Sequence, residues 1–329
     1  MGKFDCFCIG RSCVDYLSLV ENFPKKNSKV PLLNYKTDIG GQSAIFAITL
    51  SRLGLKVGIL TVVGDDFAGK FVSDILTNEG VFAKYIQITK KISTPVAFVW
   101  TEKNSAERTI VYQKSNLENI FRKELLEKIF NNSKLVFLDH QGLRYTHNHL
   151  NLIKKFSHKI IFDAERINKK ILTFLPYVKY LFCSEDFIHE FAKKFNLKDI
   201  PSAIKKLSSQ KYLQEDKVVC CTLGEKGAVA IYKGKIYQSD AVKVRVVDTT
   251  GAGDVFHAAF IYGILKNWNI GTTLKFANYV AGKSCEGLGG REKIPYLKNL
   301  YHITFSYLFS QSSKIIVNSK VYNVFKSTD

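Results

Sequence analysis

The run Asp248-Thr249-Thr250-Gly251-Ala252-Gly253-Asp254 sets a carboxylate at each end of a glycine-rich turn. Val255 to Leu265 follow and are apolar on nearly every side, as in a helix buried in the middle of a domain. The glycines therefore stand at that helix's N-terminus. There, unpaired backbone N–H groups and the positive end of the helix dipole receive an anion, and Gly251 and Gly253 let the backbone approach it closely. A phosphate site is implied. A carboxylate beside such a site repels its ligand unless it has a task. Asp254 has one available: it can take the proton from a hydroxyl that attacks a γ-phosphorus, while the N–H groups of Gly251, Ala252 and Gly253 stabilise the developing charge. The alternative is that Asp254 merely caps the helix, which Asp does well.

A second glycine-rich run, Gly64-Asp65-Asp66-Phe67-Ala68-Gly69-Lys70-Phe71, approaches the P-loop pattern but fails it. The hydroxyl that would hold magnesium is replaced by Phe71, and Asp65-Asp66 would repel phosphates.

The elements that must position these residues alternate between short apolar segments and helical patterns, the mark of βαβ units and a mostly parallel sheet. Candidate strands are residues 4–10, 57–63, 135–138, 160–162, 180–183, 218–222 and 228–232, nearly continuous in apolar character, as strands covered on both faces are. Residues 42–53, with Phe46, Leu50 and Leu53 at helical spacing, and 67–79, with Phe71 and Ile75, read as packing helices. Residues 20–38 and 95–113 alternate with polar residues and carry turn signals at Asn27-Ser28 and Lys103-Asn104-Ser105, which predicts antiparallel strands standing off the sheet as a lid. Residues 1–295 are expected to form one domain with this lid. Residues 296–329 form an extension of unread role, with a strand expected at Ser313 to Val317.

Composition narrows the function classes. With 46% hydrophobic and 23% charged residues the 329-residue chain is globular in type, and no stretch nears the ~18 apolar residues of a membrane span. The N-terminus lacks a basic cluster and a cleavage pattern, so a cytoplasmic protein is expected. Seven cysteines without a Cys-x-x-Cys pair read as buried thiols. The net charge of +19 comes from lysines spread in pairs, with no block of five like charges, so it argues for no nucleic-acid partner but would favour anionic substrates such as ATP.

From residue 4 to about 295 the sequence resembles the ribokinase-like (PfkB) carbohydrate kinase family, its ketohexokinase-like members most closely. The Asp248 to Asp254 run is similar to that family's C-terminal signature. Gly40-Gly41-Gln42-Ser43-Ala44, Leu50-Ser51-Arg52-Leu53-Gly54 and Val63-Gly64-Asp65-Asp66-Phe67-Ala68-Gly69 echo its N-terminal one in order. The resemblance implies a three-layer α/β/α sandwich around a mostly parallel sheet of about nine strands, a β lid, and phosphoryl transfer from MgATP to a sugar hydroxyl.

By the same resemblance Asp254 is the base, with Gly251, Ala252 and Gly253 as the anion hole. Asp15, Gly40, Gly41 and Gln42 face the sugar, and Arg108, Thr222, Gly224, Gly227 and Asn278 face ATP. Asp248, Thr250, Ser284, Gly287 and Gly289 match a monovalent cation site, K+ in type, and a homodimer through the lid is a further expectation. Simpler roles stay open at three places: a strand-end cap for Asp15, a turn for Gly40-Gly41, and a solvated surface residue for Arg108. The acceptor expected is a neutral ketose or other monosaccharide, the alternatives being a nucleoside kinase or a non-catalytic sugar-binding protein.

Departures from the family pattern are specific. Ile45 stands where Asn is usual, which removes an expected polar contact to the sugar. The magnesium-linked Asn-x-x-Glu motif falls on Ser184-Glu185-Asp186-Phe187. Lys293 falls at the cation site, where its ammonium can replace the ion.

Overall fold

The computed structural model describes residues 3–115, 117–118, 120–209, 216–300, 313–317 and 320–324. In chain order its strands are β1 (Phe4–Ile9), β2 (Cys13–Val20), β3 (Leu32–Gly40), β4 (Val57–Leu60), β5 (Val62–Gly64), β6 (Gln87–Thr89), β7 (Val96–Glu102), β8 (Arg108–Tyr112), β9 (Ser133–Leu138), β10 (Ile160–Ala164), β11 (Tyr180–Cys183), β12 (Val218–Thr222), β13 (Ala228–Tyr232), β14 (Lys235–Ser239), β15 (Ser313–Val317) and β16 (Lys320–Val324).

The main sheet runs β16-β15-β14-β13-β12-β11-β10-β9-β1-β4. From β4 to β12 every neighbouring pair is parallel; from β12 to β16 the pairs are antiparallel. Alternate residues of the parallel strands serve opposite faces, because successive side chains point opposite ways. Cys6, Cys8, Phe137 and Cys220 pack with Phe46, Phe260 and Phe276 on one side, and Phe7, Ile9, Val136 and Leu138 with Phe130, Phe174 and Phe191 on the other. Helices cover both faces, giving the three layers expected from the sequence, and all seven cysteines are buried and unpaired. The strand expected at Ser313 to Val317 is present, but it is not the edge, since β16 pairs outside it.

The carboxyl ends of the parallel strands share one rim of this sheet, where ligands collect in open α/β folds. Over it stands a four-stranded sheet, β3-β2-β7-β8. This lid begins at Cys13, earlier than the expected residue 20, and residues 21–31 are connection. The difference has a physical cause. β2 is buried along both faces, with Leu17 packing on Val99 and Leu288, so it reads as core strand and lacks the polar alternation that marks the rest of the lid. The expected strand over 57–63 likewise divides into β4, in the main sheet, and β5, which pairs with β6.

Charge ties the lid to the body. Arg52, at the end of the helix Gln42–Arg52, grips Glu79 at 2.6 and 2.8 Å and donates to the carbonyls of Arg291 and Ile294 at 2.9 Å each. Arg291 bonds Glu79 at 2.7 Å and Asp38 of β3 at 2.6 Å. Burial alone would raise the Glu79 carboxyl; the bonds from Arg52 and Arg291 outweigh it and hold the group below its ordinary value. Its contribution to stability is therefore present above the ordinary glutamate range and lost as pH falls through the lowered folded value. Glu79→Ala strands two guanidiniums. The expected loss is about 3–5 kcal/mol by urea denaturation, with a shallower acid dependence of the midpoint than in the unsubstituted protein.

Candidate active site

The helix Ala252–Leu265 is buried over Val255 to Gly263 and opens on Gly251, which adopts the left-handed conformation at φ 71°. A Cβ at that position would meet Gly290 Cα at 3.0 Å and Ile45 Cγ2 at 3.5 Å, so glycine is required by backbone angle and by space. Ala252 N–H closes the turn on Thr249 O at 3.2 Å. The amides of Gly251 and Gly253 have no hydrogen-bond partner among the described residues. Of the three amides expected to receive an anion, the middle one is thus engaged by the turn itself in this conformation.

The expected cation-site residues lie in one pair of loops. Asp248 is buried; its Oδ1 accepts from Thr250 N and Oγ1 at 2.9 and 2.7 Å, and its Oδ2 from Gly289 N at 2.8 Å. Ser284 Oγ donates to Ala281 O at 2.7 Å. The stem of Lys293 packs on Gly287, where a Cβ would lie 2.6 Å from Lys293 Cγ.

Asp254 stands in the first turn of the same helix. Burial pushes its carboxyl well above the ordinary value, the carboxylates Asp163, Glu165 and Asp139 push the same way, and Arg108 opposes them. Arg108 reaches down from β8 and its guanidinium donates to Thr249 Oγ1. The lid arginine and the glycine turn are therefore in direct contact.

Asp15 is buried in β2, opposite Asp38 of β3, and accepts from Cys13 Sγ at 3.3 Å. Burial raises its carboxyl to about 6, aided by Asp38 and Asp248. Gly40 lies against it, since a Cβ there would come within 2.0 Å of Asp15 Oδ2, and Gly41, at φ 95°, fits over the Arg11 carbonyl. Gln42 is placed differently from the other three: its amide donates to Asp163 at 2.9 Å. Ile45 is buried with its methyls against Gly251 and Gly290. It supports the glycine turn from behind, where the sequence suggested only a lost polar contact.

Thr222 ends β12, and Gly224 (φ 56°) and Gly227 (φ 87°) shape the turn that follows. Asn278 donates to the carbonyls of Ser239 and Asp240 at 3.0 and 3.1 Å, and a Cβ on Gly227 would strike that Ser239 oxygen at 2.1 Å. These residues converge on one loop. At the departed motif, Ser184 Oγ accepts from Phe187 N at 3.1 Å as a helix cap, and Glu185 pairs with Lys226 at 3.5 Å and His189 at 3.7 Å.

Three groups were not singled out from the sequence. Asp139, after β9, accepts from Arg11 N, Ser43 Oγ and Gly142 N, each at 2.7 Å. Asp163, near the end of β10, accepts from Gln42 and from His257 Nδ1 at 3.1 Å. Ligand-capable atoms of Asp163, Asp254 and His257 lie within 4.8 Å of one another. A signal existed for the two aspartates: each stands where an apolar parallel strand ends, in Phe137-Leu138-Asp139 and Ile161-Phe162-Asp163.

A family model described as pfkB family carbohydrate kinase matches residues 3–296. The 5-dehydro-2-deoxygluconokinase of Clostridium botulinum (strain Alaska E43 / Type E3) is 27% identical over 323 residues, covering 91% of this chain and 92% of the relative. Ketohexokinase of Mus musculus is 24% identical over 304 residues, covering 89% and 100%. The solved structure of Arabidopsis thaliana ribokinase complexed with ribose and ATP matches at a TM-score of 0.75 and 22% identity, covering 93% of this chain and 99% of that one, which speaks to the fold. The chain belongs to the pfkB family of carbohydrate kinases and has its ribokinase-like fold; it is a phosphotransferase with an alcohol acceptor, of the sugar or nucleoside kinase class.

Gly289 joins the two halves of the site. Its N–H holds Asp248, its φ is 83°, and a Cβ would meet Leu17 Cδ1 of the lid at 2.3 Å. Gly289→Ala is expected to lower stability by at least about 1–2 kcal/mol from the left-handed angle alone and to lower turnover as well. Thermal denaturation and steady-state kinetics check this, and adding Leu17→Ala should recover the part due to crowding.

Proposed function

We propose that this kinase transfers the γ-phosphoryl group of ATP to a hydroxyl of a neutral monosaccharide, a ketose or similar sugar, with Asp254 as the base. The observation that carries the reading is a carboxylate of raised proton affinity in the same helix turn as two unpaired amides. A base must take a proton at the pH where it works, and a group pushed up from the ordinary carboxylate range does so more readily. The amides of Gly251 and Gly253 receive charge developing on the transferred group. Arg108, brought to Thr249 by the lid, adds a permanent cation on the phosphate side. Thr222, Gly224, Gly227 and Asn278 shape the nucleotide loop.

A neutral acceptor follows from the charges around the other side. Asp139, Asp163 and Glu165 act on Asp254, and Asp38 and Asp248 act on Asp15, while the nearby cations Lys36 and Arg291 are held by Asp38 at 2.8 and 2.6 Å and Arg11 acts on Asp15. An acidic or phosphorylated sugar would meet more carboxylates than cations; a polyol offers donors that carboxylates accept. Asp15 is the natural grip, with Gly40 and Gly41 letting backbone approach.

Magnesium accompanies ATP in this reading, and its chemistry is to offset phosphate charge. Ser184 and Glu185 do not fit a dedicated magnesium pair, being committed to a helix cap and to Lys226. For a monovalent cation, Asp248 already accepts three hydrogen bonds from Thr250 and Gly289, and the stem of Lys293 fills the place beside Gly287, which favours the ammonium as the resident charge. The lid exposes Leu32, Leu33, Tyr35, Phe98 and Val111, which supports the homodimer expected through it.

An ATP-consumption screen over neutral sugars, acidic and phosphorylated sugars, and nucleosides tests the assignment. Asp254→Asn should lower turnover about 10²–10⁴-fold with acceptor affinity nearly kept; residual activity above about a tenth of the unsubstituted rate removes Asp254 as base. Preference for a charged sugar by more than about tenfold in specificity, ~1.4 kcal/mol, overturns the acceptor.

Asp15 gives a separate check without ATP. Its folded value near 6 lies above the ordinary carboxylate, so its contribution to stability is present at low pH and lost as pH rises through about 6. Only the ionised form accepts from two hydroxyls. Sugar affinity by calorimetry should therefore tighten between about pH 5 and 7, and Asp15→Asn should flatten that dependence.

A further inference from the structure

Asp163 is almost wholly buried, and one of its oxygens, Oδ2, accepts from Gln42 Nε2 at 2.9 Å and His257 Nδ1 at 3.1 Å. A carboxylate only accepts, so the imidazole proton of that bond sits on Nδ1. His257 is fixed in turn. It is buried, one helical turn after Asp254, and its ring stacks on Phe182 at 4.6 Å and meets Phe256 edge-on at 6.0 Å. Its Nε2 is buried with no hydrogen-bond partner among the described residues, so the imidazole meets the cost of an unsatisfied nitrogen to make one bond, the bond to Asp163. Gln42 and His257 come from different helices and converge on the same oxygen. The charge they fix lies within 4.8 Å of the Asp254 carboxylate.

We propose that Asp163, clamped by Gln42 and His257, is a positioning residue for phosphoryl transfer: it holds a fixed negative charge against Asp254 and thereby sets the pH range over which Asp254 accepts the hydroxyl proton. The proposal rests on Asp254 being the base. Around Asp254 stand Asp163 and Glu165 from β10 and the residues after it, Asp139 from the end of β9, Arg108 from β8 and His257 from its own helix. Around Asp163 stand Gln42, His257, His140 and Cys183. Of the carboxylates near Asp254, Asp139 is engaged by three donors of its own. Asp163 is the one whose donors include a residue of the Asp254 helix. A like charge at this separation strengthens proton binding to the base, and its fixed orientation keeps the effect constant through turnover.

The test is the pH dependence of kcat at saturating ATP and sugar, where titration of the free acceptor site does not enter. In Asp163→Asn the acid limb should move down by about one pH unit or more relative to that variant's own plateau, a tenfold change in proton affinity per unit. His257→Phe keeps a ring against Phe182 and deletes the donor; its limb should move the same way by less, and it should add nothing in the Asp163→Asn background. The histidine variant also serves if Asp163→Asn does not fold. An unchanged limb in both single variants overturns the proposal, as does an equal histidine effect with and without Asp163. Recovery of Asp163→Asn at every pH by about tenfold more magnesium overturns it in favour of a metal-holding role. Failure of the underlying reading looks different: Asp254→Asn itself would stay active.

Discussion

Everything at the rim depends on one contact between opposite tendencies: the electropositive start of a helix buried along its middle set against a group of carboxylates. The helix Ala252–Leu265 can run through the apolar interior because, apart from His257 and the hydroxyl of Tyr262, the side chains it buries there are apolar. Its first turn, Ala252 to Asp254, emerges half-buried at the rim, where unsatisfied N–H groups are most attractive to an anion. Carboxylates in that surrounding lose hydration, and Asp254 and Asp139 both respond by holding protons more tightly. A phosphate ligand would satisfy the amides and leave the carboxylates to a donor of protons. The two demands together describe a transfer site better than either does alone.

Geometry keeps the opposing groups apart. Gly251 turns the chain at a left-handed angle with Ile45 and Gly290 packed around it, and Asp248 locks the neighbouring loop through Thr250 and Gly289. The lid is fastened to the same frame at three places. Arg108 meets Thr249, Arg291 meets Asp38, and Arg11 links the Asp139 carboxylate to Gln113 and Tyr112 at the far side of the lid. Each fastening joins a charged side chain to a hydrogen-bonding group or ring, which is a form of contact that can be broken and remade as a lid moves, unlike interdigitated core packing.

The sequence made the framework readable where local pattern and tertiary role coincide. The apolar runs at 180–183, 218–222 and 228–232 are strands at those bounds, because a strand covered on both faces has no reason to alternate. The glycine run before an all-apolar helix was readable because helix ends have fixed chemistry. What stayed hidden is long-range. β2 is a lid strand with core-strand composition, so nothing local separates it from β1. Gln42 lies beside Gly40 and Gly41 in sequence but on Asp163, 121 residues away, in space. His257 reads as one polar residue in an apolar helix until Asp163 is set opposite it.

Ile45 shows why a departure from a family pattern needs its surroundings before it is read as a loss. Taken alone, replacing an amide by a methylated side chain removes hydrogen-bonding capacity toward an acceptor. In place, the same methyl groups fill the space behind Gly251 and Gly290, two backbone positions with no side chains of their own to pack. Ile45 thus supplies apolar packing beside the turn that carries the amides of Gly251 and Gly253. The departure therefore reads as an exchange of a polar group for packing, at a place where two glycines leave space to be filled.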